Sequence, residues 1–333
     1  MIGYRRAIPE WSTDFDLDVR VHRDALALPL RSPNRSTNRI LGAVYDWHGR
    51  LLVDSQRGKR NRVWAGNPNR RPEAVPNDVL RLSGRTFFGG HLRNAFGHFL
   101  LEVFPRFWPD IPYAAFDHVL FYSTRVGVPS PVEPYAADLL NALGVDPKSS
   151  VHMPDRPVLC EDLTITTAPF VLKRAVHPAF LDPFERAHRS YAREADAGPI
   201  TPRRLYLSRS RLPDRKRGAA NEEDVEALMA RAGFEVVHPQ EMSIAAQALA
   251  VGSAAAIAGC DGSALHLAAF ARPGTVLLSI DARPVPNQFM IDRVRGLDAV
   301  HVLASGAELS NRMGSWVADL TLVREALATA ALD

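Results

Sequence analysis

The spacing of apolar and polar positions divides the chain into two parts of different regularity. From residue 203 onward short apolar runs alternate with longer segments of helical period. "RRLYLSR" (203–209) reads as a strand entering a basic loop, and "FEVVHP" (234–239), "AAAIAG" (254–259) and "TVLLSI" (275–280) read as strands too. Between them, "NEEDVEALMARAG" (221–233) opens on an Asn cap with acids in its first turn and stops at Gly233, the pattern of a helix. "SIAAQALAVGSA" (243–254) opens on a Ser cap, and "SALHLAAFA" (263–271) reads as a further helix. "PNQFMIDRVRG" then precedes "DAVHVL", and "SWVADLTLVREALATAAL" closes the chain as a long helix, about 315–331. Strands alternating with helices predict parallel β-α-β units, and nearly all-apolar strands suit a sheet covered on both faces.

The N-terminal part is less regular. "RILGAVYD" and "RLLVDS" predict a hairpin around "WHG", and "VLRLSGRTFFGG" another strand. In "LRNAFGHFLLEVFPRFW" (92–108), Phe96, Phe99, Leu100, Val103 and Phe107 follow helical spacing and predict an amphipathic helix. "DHVLFY", "PYAADLLNALG" and "DLTIT" give strand, helix and strand, and "PAFLDPFERAHRSYAREADAG" a helix running into the linker "AGPITP". The domain boundary falls near 198–202, with an N-terminal unit 1–198 and a C-terminal unit 199–333.

Composition narrows the class. A chain of 333 residues with 46% hydrophobic and 23% charged residues is that of a globular protein with room for two domains. Its only cysteines, Cys160 and Cys260, form neither a disulfide framework nor a metal-binding pair and suit a reducing compartment. The stretch "MIGYRRAIPEWSTDFDLDV" has no long apolar run, so neither signal peptide nor anchor is expected and a cytoplasmic location is. The formal net charge is +3, and the basic residues are arginines except for Lys59, Lys148, Lys173 and Lys216. Arginine grips phosphate bidentately, so local clusters carry more information than the total.

Three stretches carry candidate chemistry. In "GCDGSALHLAAF" (259–270), Gly259 and Gly262 let the chain turn tightly after a strand, and a helix begins near Ser263. Unpaired N–H groups of Gly262, Ser263 and Ala264 at such a turn suit phosphate, although the spacing equally fits a tight turn without a ligand. Asp261 and His266 are its polar side chains. In "YLSRSRLPDRKRGAANE" (206–222), Arg209, Arg211, Arg215, Lys216 and Arg217 precede a helix start at Asn221 and Glu222, an arrangement able to neutralise a diphosphate. It lacks the interleaved aromatics of a nucleic-acid surface. In "GGHLRNAFGHFLLEVFPRFW" (89–108), His91, Asn94, His98 and Glu102 recur at helical spacing on one face. A histidine oriented by a carboxylate suits a general base. No cluster with zinc spacing and no HExxH, GxSxG, Walker or GxGxxG pattern offers competing chemistry.

Over roughly residues 85–285 this order of segments resembles the family 61 glycosyltransferases. The family's "N-x-GH-[FW]-L…E…PR" element is matched by Asn94, Gly97, His98, Phe99, Leu100, Glu102, Pro105 and Arg106. Ser208, Arg209, Arg217, Asn221, Glu222, Gly233, Phe234, Val236 and Gln247 follow in family order. In the closing "G-x-HGA-x-L-x-N…F…PG" element, Gly259, Gly262, Leu265, Phe270, Pro273 and Gly274 agree. Asp261 stands where the family has histidine, Ser263 where it has alanine, and Leu267 at the asparagine position.

The resemblance implies an α/β fold of GT-B type: two Rossmann-like domains facing a cleft, the last helix able to pack back on the N-terminal one. It implies inverting, metal-independent transfer from a nucleotide sugar, with a UDP-sugar expected and GDP or CMP left open by the residues. The acceptor would be a hydroxyl of a saccharide or lipid-linked saccharide in bacterial capsule, lipopolysaccharide or exopolysaccharide assembly. That acceptor leaves room for peripheral contact with the inner membrane. No cofactor, metal or nucleic-acid partner is expected. In this reading His98 is the base and Glu102 orients it or replaces it, with Asp261 as the rival near the sugar. Arg209 and Arg217 would hold the diphosphate, assisted by Gly262, Ser263 and Ala264, while Asn221 and Glu222 fix the loop or reach the ribose. His91, Asn94 and His266 would line the acceptor side or the cleft. A nucleotide-sugar epimerase of the same architecture and a non-catalytic nucleotide- or RNA-binding protein are the competing readings.

Overall fold

The computed structural model describes residues 13–29, 43–59, 62–63, 77–93, 95–123, 131–152, 155–195, 203–212, 218–303, 316–330 and 332. The chain divides into two units, Ser12–Ala187 and a second that runs from His188 to Asp333.

In the N-terminal unit a mixed sheet is built from β1 (Val19–Ala27), β2 (Val44–Tyr45), β3 (Leu80–Leu92), β4 (His118–Ser123), β5 (Val151–His152) and β6 (Val158–Thr166), in the order β2-β1-β6-β3-β4-β5. The strands from β6 to β5 run parallel, and β1 is antiparallel to both neighbours. The predicted hairpin around "WHG" forms as a short one: the Asp46 amide donates to the Arg50 carbonyl and the Leu52 amide to the Val44 carbonyl, both at 2.9 Å, with Tyr45 bridging Leu51 while the other edge of β2 pairs with β1. Strand β3 alternates at its start and is buried throughout its second half, as a central strand must be. "FFGG" is written by packing. A Cβ on Gly89 would lie 2.1 Å from the Phe121 ring, and Gly90 sits at φ +96° beside the buried Arg106 side chain.

The predicted helix over 92–108 begins later and changes pitch. Residues 91 and 92 finish β3, Phe96–His98 are α-helical, Phe99–Val103 form a π-helical turn and Phe104–Phe107 a 3₁₀ turn. Pro105 explains the change, since it offers no N–H to the ladder. The N–H of Phe104 instead closes a wide turn on the carbonyl of Phe99. Phe99, Leu100, Val103 and Phe107 are buried, as the spacing predicts. Wide turns of this kind are frequent at functional sites. Helix α1 (Pro134–Ala142) links β4 to β5, and α2 (Asp182–Glu194) runs across the boundary of the two units.

The C-terminal unit carries an all-parallel sheet of β7 (Arg204–Leu207), β8 (Glu235–Val237), β9 (Ala256–Cys260), β10 (Val276–Asp281) and β11 (Asp298–Leu303) in the order β8-β7-β9-β10-β11. Helices α3 (Glu222–Arg231), α4 (Ile244–Ser253), α5 (Pro286–Arg295) and α6 (Leu320–Thr329) and a 3₁₀ helix, Ser263–Phe270, join and flank the strands. Tyr206, Ile280, Val225, Met229, Val323 and Leu327 form one buried cluster that binds α3 and α6 to the sheet. The face of α6 is thereby used within its own unit.

That last helix is shorter than its sequence suggests. Trp316 pairs with Ala219, and Asp319 caps the amides of Thr321 and Leu322 at 2.9 and 3.3 Å, so helical backbone starts only at Leu320. Ser243 caps α4 as expected, accepting from the Ala246 amide at 3.2 Å. Among the described residues no helix is long and apolar enough to cross a membrane.

Candidate active site

The order β8-β7-β9 means that the chain leaves β7 in one direction and returns on its other side. The gap between the carboxyl ends of β7 and β9 is therefore a topological switch point, where open α/β sheets bind ligands. Two predicted residues meet there. Arg209 follows β7 and Asp261 follows β9, and Arg209 Nη1 donates to the Asp261 carbonyl at 2.5 Å. The guanidinium lies over Gly262, where a Cβ would come within 2.6 Å of Nη1. This is why the turn keeps a glycine: its backbone is extended, and only space is at issue.

The loop is held from below. Glu222, buried in the first turn of α3, accepts from the Arg209 amide at 2.7 Å. Ser208 is buried and bonds Ser210 and Glu226. Asn221 does not cap α3. Its side chain clamps the backbone of Ala318, Nδ2 donating to the carbonyl at 3.0 Å and Oδ1 accepting from the amide at 2.8 Å. The clamp fixes the segment that leads into α6, a pairing 97 residues apart that local capping rules do not see. Ser263 and Ala264 begin the 3₁₀ helix and stay partly exposed. Arg217 lies outside the described residues, as does Asn94.

The N-terminal unit assembles a second cluster. His98 Nδ1 and Glu102 Oε2 are 2.5 Å apart, and Arg57 grips the same carboxylate with Nε on Oε1 at 2.7 Å and Nη2 on Oε2 at 2.8 Å. Arg93 Nη1 stands 3.1 Å from His98 Nε2. A guanidinium only donates, so Nε2 is the acceptor and Nδ1 carries the proton shared with Glu102. Burial pushes the Glu102 carboxyl up. The hydrogen bonds from His98 and Arg57 and the Arg57 charge outweigh it and hold the group down at about 2. Glu102 is therefore a fixed anion. His98, 32% exposed, keeps contact with solvent.

His91 departs from the expectation of a helical face shared with His98. It belongs to β3, is buried, and its Nε2 faces the Ser55 carbonyl at 3.0 Å. Burial, partly countered by that hydrogen bond, pulls its pKa down to about 4, so it is a neutral core residue. Arg106 of the "PR" element is likewise structural. It is 4% exposed and donates to the carbonyls of Asp54, Thr166 and Gln56.

Sequence reasoning passed over Arg57, which reaches Glu102 across 45 positions, and Arg93, which lies within the predicted helix 92–108 but off the spacing of His91, Asn94, His98 and Glu102. It also missed a buried chain behind the 3₁₀ helix. There His266 meets Gln288, and His301 is held between Asp281 and Asp292. Among the described residues no group of three or more His, Cys, Asp or Glu side chains is placed to hold a metal ion.

A parallel α/β unit with an arginine and a glycine turn at its switch point, joined to a mixed α/β unit bearing a histidine–carboxylate pair, defines a Rossmann-like enzyme class. The family model described as Glycosyltransferase 61 matches residues 96–278, more than half of the chain, a span that holds Arg209, Asp261, His98 and Glu102. The chain belongs to that family and is a glycosyltransferase, an enzyme that transfers a sugar from a donor to an acceptor. No curated protein matches it.

Proposed function

We propose that the chain is an inverting, metal-independent glycosyltransferase of GT-B arrangement, with the donor on the C-terminal unit and the base supplied by the N-terminal one. The observation that carries this reading is the Arg209 guanidinium lying across the β7/β9 switch point over Gly262. A departing nucleoside diphosphate needs charge stabilisation where its negative charge develops. Arg209, the amides that open the 3₁₀ helix and Arg217 supply it without a metal. Asn221 and Glu222 act by fixing the loops. Asp261 serves the sugar hydroxyls, since a carboxylate beside a diphosphate would be repelled.

His98 Nε2 takes the proton of the acceptor hydroxyl, and Glu102 holds the ring in the required tautomer. The acceptor hydroxyl displaces Arg93 from Nε2 as it arrives. The donor is a UDP-sugar. The acceptor is a saccharide or lipid-linked saccharide of the bacterial surface, reached from the cytoplasmic side by peripheral contact with the inner membrane.

The test is a thermal-shift panel of UDP, GDP, CMP, ADP and NAD, with and without Mg²⁺, on wild type and Arg209→Ala. Ligand at about 100 times its dissociation constant stabilises the native state by roughly 2.7 kcal/mol. UDP is expected to shift wild type equally with and without Mg²⁺ and to leave Arg209→Ala unmoved. A shift that requires Mg²⁺, or survives in the variant, contradicts the reading.

A further inference from the structure

The surroundings of His98 hold one positive charge more than their carboxylates balance. Arg57 is matched by Glu102, which it grips with two hydrogen bonds at 2.7 and 2.8 Å. The buried Arg106 faces Asp54 and Glu102. Arg93 has no such partner. It is exposed, its Nη1 lies 3.1 Å from His98 Nε2, and among the described residues it makes no ion pair. Exposed arginines elsewhere in the unit behave otherwise. Arg20 takes Asp18 at 2.6 Å, Arg50 takes Asp46 at 2.7 Å and Arg156 takes Asp78 at 3.1 Å.

The surplus charge works against the base at rest. A guanidinium only donates, so Arg93 occupies the Nε2 lone pair on which the acceptor's proton must arrive. Once Nε2 has taken that proton, two like charges stand side by side, which disfavours the imidazolium. One partner removes both obstacles. An anionic group draws a guanidinium into a charge-assisted, often bidentate pair, about twice as strong as a hydrogen bond between neutral groups. It thereby vacates Nε2 and cancels the surplus. A neutral acceptor brings a hydroxyl to Nε2 but leaves the Arg93 charge unanswered. The geometry also limits where the anion sits. Two hydrogen-bond lengths, roughly 6 Å, separate the guanidinium from a hydroxyl placed on Nε2, about the span of one sugar ring with its substituents.

Resting on His98 as the base, we propose that the acceptor is an acidic sugar and that Arg93 binds the anionic group, a carboxylate or a phosphate ester, on the ring whose hydroxyl is attacked. The acceptor then switches on the base that it uses. The chemical step keeps its balance. The hydroxyl proton passes to Nε2, the oxygen bonds to the anomeric carbon of the donor sugar, and the nucleoside diphosphate leaves with the bonding pair.

Glucose, glucuronate and glucose 6-phosphate present one ring as a neutral, a carboxylate and a phosphate probe. Their dissociation constants are measured by nitrogen NMR of histidine-labelled protein at constant ionic strength, on wild type, Arg93→Gln and Arg93→Lys. Because Arg93 is exposed, both variants keep the fold. In wild type at least one anionic probe is expected to bind about tenfold tighter than glucose and to move the His98 Nε2 signal. The tighter of the two names the anion. Arg93→Gln is expected to bind all three alike, and Arg93→Lys to keep part of the preference as a point charge. Salt at about 1 M shortens the screening length to about 3 Å and is expected to shrink the preference. Equal affinity for the three probes in wild type, binding of none, or a preference that survives in Arg93→Gln overturns the proposal. Turnover by His98→Ala keeps the two claims apart. An anion preference lost in Arg93→Gln, alongside near-normal His98→Ala turnover, upholds the anion site and overturns the base. Lost turnover without any anion preference upholds the base and overturns the anion site.

Discussion

Raising the pH from 6 to 10 removes one buried charge from the C-terminal unit, and the cost follows from the geometry. His301 is only 10% exposed, between Asp281 at 2.8 Å and Asp292 at 2.9 Å. Burial alone would lower its pKa. The two hydrogen bonds and the charges of the two aspartates overcome that and raise it from 6.5 to about 9. The native state therefore binds this proton more tightly than the unfolded chain does. The resulting stabilisation is fully present below about pH 6.5 and is lost as pH rises through about 9. At about 1.4 kcal/mol per pH unit the contribution is of order 3 kcal/mol. Asp292 has its carboxyl pushed up by burial, against the pull of His301, and shapes the acid side of the profile instead.

Urea unfolding followed at pH 6, 7, 8, 9 and 10 measures the effect, with His301→Gln as the reference that cannot titrate. The wild-type minus variant difference is expected to shrink by roughly 3 kcal/mol over this range, most of it between pH 7 and 9. A difference constant to within about 0.5 kcal/mol would show that His301 is not a buried cation and refute the reasoning.

Further expectations follow from the packing. Gly262→Ala places a methyl 2.6 Å from Arg209 Nη1, so the side chain must move. UDP affinity is expected to fall about tenfold, with the melting midpoint changed by less than a few degrees. Gly89→Ala meets the Phe121 ring at 2.1 Å inside the N-terminal core, and overpacking there is expected to cost roughly 1–3 kcal/mol in chemical denaturation without changing UDP affinity. Asn221→Ala removes both bonds to Ala318, and a loss of about 1–3 kcal/mol with near-normal UDP binding would separate its clamping role from a ribose contact.

The C-terminal unit was legible because its elements are locally encoded. The apolar runs at 203–209, 254–259 and 275–280 became β7, β9 and β10, and capped segments became α3 and α4. Periodicity locates elements but not the partners their polar ends choose. Asn221 looked like a cap by position and became a long-range clamp, because Ala318 brings it both a donor and an acceptor. His91 and His98 share a spacing that a helix would turn into one face, but β3 runs through His91 and buries it. The bulge between Phe88 and Gly90 and the wide turn forced by Pro105 lie between what the pattern showed and the path the chain takes. β1 escaped notice because its first half is exposed and charged, and it is held by pairing with β6 rather than by an apolar face. Arg57 gave no signal in the sequence because its partner Glu102 lies 45 positions away, while Arg93 and the His301 cluster, whose partners lie nearer, fall on no motif.

The most direct test of the account is sugar-transfer turnover by His98→Ala, measured with radiolabelled UDP-sugar and a membrane-derived acceptor alongside UDP affinity. A general base contributes roughly 10²–10⁴-fold, so kcat is expected to fall by at least a hundredfold while UDP binds as in wild type. Near-normal turnover in His98→Ala would contradict the assignment of the base and with it the division of labour between the two units.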